Sequence, residues 1–234
     1  MLILAIDTST RAGSIALLGD RQVLAEISSS EETPYSTRLF RDLEMLQSRT
    51  QFRMDQIDVF AVAAGPGSFT GLRVGLTAVK GWAEVHHKPI AAISGLEAIA
   101  SQSTANSDVV SPFLDARRGY VFGSTYRRSR PGSNTLQLVG EEAIFSIEEF
   151  LASVKANSGL NQPVLVSSTP ETLPVILVES ILPGARLEQV PEGLAATIGL
   201  LAFDRSDGGD LADPLTLDAN YIRRSDAEVA RTPA

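Results

Sequence analysis

The run Ala61-Val-Ala-Ala-Gly-Pro-Gly-Ser-Phe-Thr-Gly-Leu-Arg-Val-Gly75, continuing to Ala83, constrains this chain most tightly. An apolar stretch over residues 59–64 meets a Gly-Pro-Gly-Ser-Phe-Thr-Gly loop, and an amphipathic pattern follows. That order predicts a buried strand, a tight turn and a helix, with backbone N–H groups gathered where the helix starts. Pro66 fixes one φ angle, and Gly65 and Gly67 open backbone angles closed to other residues. Ser68 or Thr70 is the expected N-cap. The loop fails the simple phosphate-binding patterns. No Lys follows Gly71 as a Walker loop requires, and the glycines at 65, 67 and 71 miss the G-x-G-x-x-G spacing. Ser68 also sits one place early for a hydrolase elbow.

Gly67, Gly71 and Gly75 lie four apart, and Val79 and Ala83 continue the row. Residues four apart share a helix face, and each interior glycine costs about 1 kcal/mol relative to alanine. Close approach of another backbone would offset that cost. Two readings stand: the row packs on the chain's own sheet, or part of the helix seats a second protein.

The chain has 234 residues, 44% of them hydrophobic, so one large domain or two lobes can each bury a core. A net charge of −8 gives no overall attraction to nucleic acid, which leaves only a local patch or a partner. There are no cysteines, which excludes disulfides, thiolate zinc sites and a cysteine nucleophile. The first six residues are apolar, lack a basic segment and end at Asp7, the pattern of a first strand rather than a signal peptide. No apolar run approaches the ~18 residues that span a bilayer. A cytoplasmic protein with no membrane association is the expectation.

Strands are predicted over residues 2–6, 14–18 and 23–28 as a meander, then a helix over 36–48 with Leu39, Leu43 and Leu46 on one face. The strand at 58–64, a helix over 72–85, a strand at 89–93 and a helix near 96–102 follow. Residues 104–108 form a polar bridge, so the expected division is a first lobe over 1–105 and a second over 106–234. The last ~20 residues are expected to return to the first lobe. The second lobe opens with strands at 109–114, 120–126 and 136–143. A short helix from Ser146, a strand at 163–166 and helices over 172–181 and 192–203 complete it.

Both halves open with an apolar strand, an aspartate, a polar turn and another apolar strand, so Asp7 and Asp115 hold equivalent places. This twinned α/β pattern resembles the acetate kinase–sugar kinase–Hsp70–actin superfamily. The resemblance implies two similar actin-like lobes of mixed sheet with flanking helices. In that superfamily the two hairpin turns cradle ATP phosphates. Asp7, Thr8 and Ser9 with Asp115 would then mark a vestigial nucleotide cleft. Either aspartate would orient a water or magnesium ion there, or simply cap its hairpin through backbone N–H groups. The second turn, Asp115-Ala-Arg-Arg-Gly119, is bulkier than a phosphate cradle wants, and residues 165–170 lack paired glycines.

Four segments sharpen the resemblance: Ile3-Leu-Ala-Ile-Asp-Thr-Ser9, Gly65 to Gly75, Asp115 to Gly119, and Tyr221-Ile-Arg-Arg224. Together they are similar to the TsaB (YeaZ) family over essentially the whole chain. That implies a part in forming N6-threonylcarbamoyladenosine in tRNA beside the anticodon, as the noncatalytic companion of TsaD. TsaD transfers the group and holds a metal through His-x-x-x-His. TsaE, an ATPase, joins them, and tRNA is met through the complex. ATP and magnesium serve the complex, with no cofactor and no metal required by this chain. First-lobe helices would bind TsaD, or a second copy when the chain is alone. The expected surface is Leu39, Phe40, Leu43 and Leu46 on one helix with Gly71, Leu72, Val74, Gly75, Ala78, Val79 and Trp82 on the next.

No catalytic residue is assigned. The only histidines, His86 and His87, are adjacent and point in different directions, as plain helix-end residues do. Arg117, Arg118, Arg127, Arg128 and Arg130 would form a basic patch if the hairpin brought them together, and are otherwise a solvated face; Arg223 and Arg224 stand similarly. The alternative function is an autonomous ATP-dependent small-molecule kinase of the same superfamily. A metalloprotease, a third reading, lacks the histidine motif.

Overall fold

β1 (Leu2–Asp7) and β4 (Val59–Gly65) are apolar runs buried on both faces, as central strands of a covered sheet must be. In this computed structural model, which describes residues 1–28, 33–129 and 135–217, they pair in parallel. β2 (Ser14–Gly19) and β3 (Gln22–Ser28) extend the sheet as an antiparallel meander. β5 (Ile90–Ser94) adds in parallel to β4, giving the order β3-β2-β1-β4-β5.

α1 (Tyr35–Thr50) joins β3 to β4, and α2 (Phe69–His86) joins β4 to β5. Leu39, Leu43 and Leu46 of α1 and Leu76, Val79 and Ala83 of α2 cover one face of the sheet, meeting Leu4, Ile6, Phe60 and Val62. Alternation along β1 sends Ile3 and Ala5, both fully buried, to the other face. α3 (Gly95–Ser101) follows β5 directly.

The second sheet repeats the plan. β6 (Val109–Arg117), β7 (Tyr120–Arg128) and β8 (Leu136–Ser146) form an antiparallel meander. β9 (Val164–Ser167) and β10 (Arg186–Gln189) add in parallel on the far side of β6. The order is β10-β9-β6-β7-β8, which is the first sheet's sequence of strands over again. α4 (Ile147–Ser158) starts at a reciprocal Ser146–Glu149 capping box. It packs Phe150, Leu151 and Val154 on Phe113 and Val121. α5 (Val175–Ile181) is the short counterpart of α2. The predicted 172–181 helix is therefore split. Pro170–Thr172 is a 3-10 turn and Pro174 stands outside the helix as its N-cap.

α6 (Ala195–Asp207) corrects the expected domain division. One compact unit comprises Met1–Gly95 with Glu192–Tyr221, of which residues 218–221 lie outside the described set; the other takes Leu96–Pro191. The break thus falls ten residues before the polar bridge expected at 105, and α6 belongs to the first sheet. The physical reason lies in three contacts. The Ser14 hydroxyl accepts hydrogen bonds from the Leu194 and Ala195 N–H groups at 3.1 and 2.9 Å. Gly199 lies so close to Leu18 that a Cβ there would fall 2.2 Å from its Cδ1. Arg21 donates to Asp204 and Asp207, each at 2.7 Å. The tail expected to return to the first lobe is described only as far as Leu217.

Candidate partner-docking site and the paired aspartate turns

The two aspartates do the same local work. Asp7 Oδ1 accepts the N–H of Ser9, two residues on, at 2.7 Å, and Asp115 Oδ1 accepts the N–H of Arg117 at 2.7 Å. Each caps its hairpin turn. Ser9 Oγ also donates to Asp7 Oδ1 at 2.6 Å, and Thr8 Oγ1 donates to the Gly71 carbonyl at 2.7 Å. Asp7, Thr8 and Ser9 are all buried. Burial pushes the Asp7 carboxyl above the usual carboxylate range, although its bonds from Ser9 oppose this. Asp7 Oδ2 and Thr10 Oγ1 are buried without a hydrogen-bonding partner among the described residues. Burial, and then the nearby Asp7 charge, raise the Tyr35 phenol as well.

In each turn the aspartate takes up one backbone amide. The amides of Ser9 and Arg117 are occupied by the aspartates, and the hydroxyls of Thr8 and Ser9 are engaged inside the fold. In the second turn Arg117 and Arg118 both take positive φ, 68° and 57°. Arg117 Nη1 folds back on Asp115 Oδ2 at 3.2 Å. The cleft residues Asp7, Thr8, Ser9 and Asp115 are thus placed as turn-stabilising groups within their own units.

The glycine row is filled from within. A Cβ on Gly67 would lie 2.5 Å from the Ser9 carbonyl oxygen. On Gly71 it would lie 2.0 Å from that of Thr8, and on Gly75 2.4 Å from Thr8 Oγ1. The Ser68 N–H donates to the Ser9 carbonyl at 2.7 Å, and Ser68 Oγ accepts the Gly71 N–H as the N-cap. The Gly65–Pro66 bond is cis. The loop and the first turn of α2 therefore clamp the β1–β2 turn, so the row packs on the chain's own sheet.

This revises the expected docking surface. Leu39, Leu43, Leu46, Gly71, Leu72, Gly75 and Val79 are buried within the first unit and offer nothing to a partner without unfolding it. Phe40 stays 59% exposed, and its ring meets Trp82 edge-on at 6.3 Å. Trp82 is half-buried, backed by Phe60 at 6.1 Å. Val74 and Ala78 are half-buried too. Two residues missed in the sequence complete the surface: Gly81, whose ideal Cβ meets nothing within 4 Å beyond its own helix backbone among the described residues, and Val85, 71% exposed. Val74, Ala78, Gly81 and Val85 stand at i, i+4, i+7 and i+11, one stripe of α2. Their 4-3-4 spacing was the signal available in the sequence, overshadowed by the stricter row of four.

The arginine patch does not form. Arg117 and Arg118 sit at one end of the β6–β7 hairpin, and Arg127 and Arg128 at the other. Arg127 donates to the Asn157 carbonyl at 3.1 Å. The buried Arg128 guanidinium holds the carbonyls of Ser103 and Ser107. Arg130 and the Tyr221–Arg224 motif lie outside the described residues. His87 is the left-handed C-cap of α2 and His86 lies against Phe60, both helix-end roles. No group of three or more His, Cys, Asp or Glu poised for a metal occurs among the described residues, and no helix there is long and apolar enough to cross a membrane.

A TsaB protein of Bacillus subtilis, named for tRNA threonylcarbamoyladenosine biosynthesis, is 31% identical over 182 residues, 78% of this chain and 77% of its own length. The chain belongs to the TsaB (YeaZ) family. The Escherichia coli TsaB is 35% identical over 136 residues, 56% of this chain and 58% of its own. Residues 22–175 also match the family model of TsaD, described as a tRNA N6-adenosine threonylcarbamoyltransferase, in keeping with kinship between the two families. The solved YeaZ of Pseudomonas aeruginosa superimposes with a TM-score of 0.75 over 94% of this chain and 99% of that one. At 24% identity it speaks for the fold alone.

Proposed function

We propose that this chain serves N6-threonylcarbamoyladenosine formation in tRNA as an accessory subunit. It docks on a TsaD-type transferase through the outward faces of α1 and α2 and does not transfer the group itself. Family membership supports the pathway. The observation that carries the accessory reading is the pair of aspartate turns, in which the Ser9 and Arg117 amides and the Thr8 and Ser9 hydroxyls are engaged in holding the fold. ATP and magnesium, TsaE and tRNA then belong to the assembled complex, and no step is assigned to them on this chain. The docking face is the Phe40–Trp82 pair with the Val74–Ala78–Gly81–Val85 stripe. An exposed glycine in mid-helix that meets no side chain among the described residues is suited to close approach of a partner helix. A second copy of the chain would use the same face in the absence of the transferase.

The test is co-purification with a TsaD-type partner, followed by quantification of modified tRNA by mass spectrometry. Phe40→Asp and Val85→Asp alter exposed positions, so folding is retained while partner affinity falls by about 2 kcal/mol, ~30-fold, as for a central apolar anchor. Modification falls in parallel. Wild-type co-purification by both variants would refute the face, and group transfer by the isolated chain would refute the accessory role.

A further inference from the structure

Both helices of the docking face rest on one short turn. Thr8 and Ser9 hold α2. Their carbonyls and the Thr8 hydroxyl fill the notches at Gly67, Gly71 and Gly75, and that hydroxyl donates to the Gly71 carbonyl at 2.7 Å. Arg11 and Gly13, at the other end of the same turn, hold α1. An ideal Cβ on Gly13 would fall 1.6 Å from the Tyr35 hydroxyl oxygen and 2.1 Å from the ring carbon that bears it, so Gly13 leaves a slot for the Tyr35 ring. The Arg38 guanidinium lies over that ring, 4.2 Å from its centroid, and donates to the Arg11 carbonyl at 3.4 Å. Arg38 is only 1% exposed, and Asp42, one turn on, faces its Nε at 3.8 Å. A guanidinium is buried only where its partners meet it, which makes this contact directional.

α1 needs such an anchor. Its N-cap is Pro34, which supplies no side-chain hydrogen bond, and its first turn carries no acid. Leu39, Leu43 and Leu46 hold it to the sheet, but apolar burial is non-directional and does not fix its slide or rotation. We infer that the β1–β2 turn is the joint that sets α1 and α2 in register for docking, with Tyr35 and Arg38 as its positioning residues on α1. They act through Phe40. A helix carries a shift at Tyr35 along its length to Phe40, five residues and ~7.5 Å further on. Phe40 then loses its edge-on contact with Trp82, and the two helices no longer present one surface. The consequence for binding rests on the docking function proposed above; the joint itself does not.

Trp82 is the only tryptophan in the chain, so the tryptophan band of the near-ultraviolet circular dichroism reports the Phe40 contact. Four variants are compared with the parent. Gly13→Ala closes the slot and Tyr35→Leu empties it, and both should change the Trp82 signal. A helix in register one-tenth of the time binds its partner about ten-fold more weakly, the loss expected of both towards a TsaD-type protein. Tyr35→Phe keeps the ring in the slot and beneath Arg38, so it should keep signal and affinity. Phe150→Leu, a core change in the other unit, should lower the urea midpoint and spare both readouts. Tyr35 is partly exposed, so Tyr35→Leu should fold even where Gly13→Ala does not. A parent-like Trp82 signal in Tyr35→Leu would overturn the inference. So would an equal loss of affinity in Phe150→Leu, since stability alone would then set binding. A changed signal with parent affinity, where Phe40→Asp does abolish co-purification, would remove the positioning role. If the signal changes as expected but Phe40→Asp leaves co-purification intact, the joint stands and the docking function is what fails.

Discussion

Glycines 71 and 81 stand on one helix and call for opposite outcomes on substitution. Gly71→Ala drives a Cβ to 2.0 Å from the Thr8 carbonyl oxygen, a backbone atom that cannot swing away. The chain should lose about 3 kcal/mol as the β1–β2 turn is pushed off α2. Gly81→Ala meets nothing and should gain up to ~1 kcal/mol from helix propensity. Urea denaturation of the two variants measures both, and a gain from Gly71→Ala would mean the turn does not sit against α2. Asp7 adds a pH dependence. Burial raises its folded pKa above that of an ordinary carboxylate, so the folded state holds the proton more tightly than the unfolded chain. The resulting stabilisation is full below the unfolded pKa and is lost as pH rises through the folded one. Asp7→Asn keeps an Oδ1 acceptor for Ser9 and cannot ionise. Its melting temperature relative to the parent should therefore rise as pH climbs above the ordinary carboxylate pKa of about 3.9. A constant difference across that range would show that Asp7 stays ionised in the fold. The capping role of both aspartates was readable from the Asp–polar turn pattern alone. A row of glycines, by contrast, announces that something comes close without saying what, and here it is Thr8 and Ser9 of the same chain.

At the level of elements, local sequence served where an element carries its own signals. The 146–149 capping box and the leucines of α1 mark their helices because the cap and the buried stripe are contiguous in the chain. α6 was placed in the wrong half because neither of its anchors is local. Its N-terminal amides find their acceptor on Ser14, 180 and 181 residues away, and its Gly199 notch is cut to Leu18. β10 escaped notice for a related reason: Arg-Leu-Glu-Gln has little strand character and is drawn into the sheet by parallel pairing with β9. Ser14→Ala tests the long-range cap. Two buried N–H groups lose their acceptor, at a cost of about 1–2 kcal/mol by analogy with N-cap removal. Amide exchange should quicken first at the start of α6, before the β1–β4 pair. Uniform acceleration across the chain would show that Ser14 acts on the whole fold rather than as this helix's cap.

The two units repeat one plan and differ in what they expose. Both sheets keep the same strand order and the same aspartate cap, which is why the twinned architecture was visible from two short strand–Asp–turn–strand openings. The first copy has a long α2 with an open outward stripe; its counterpart α5 is only seven residues long. The first copy also cannot be cut out at the polar bridge. Ile3 and Ala5 of β1 face away from α1 and α2, and α6 packs against β1, β2, β4 and β5. A fragment of residues 1–105 therefore leaves apolar sheet surface bare. It should bind a hydrophobic dye and lack a cooperative thermal transition. Joining residues 192–217 to that fragment through a flexible linker supplies α6 and the Ala212 strand edge, and should restore a cooperative transition and suppress dye binding. The Ser14→Ala change placed in the joined form should undo part of that rescue, because α6 then arrives without its cap. A 1–105 fragment that melts cooperatively at the temperature of the full chain would show that α6 is an accessory to the first sheet rather than its second covering layer.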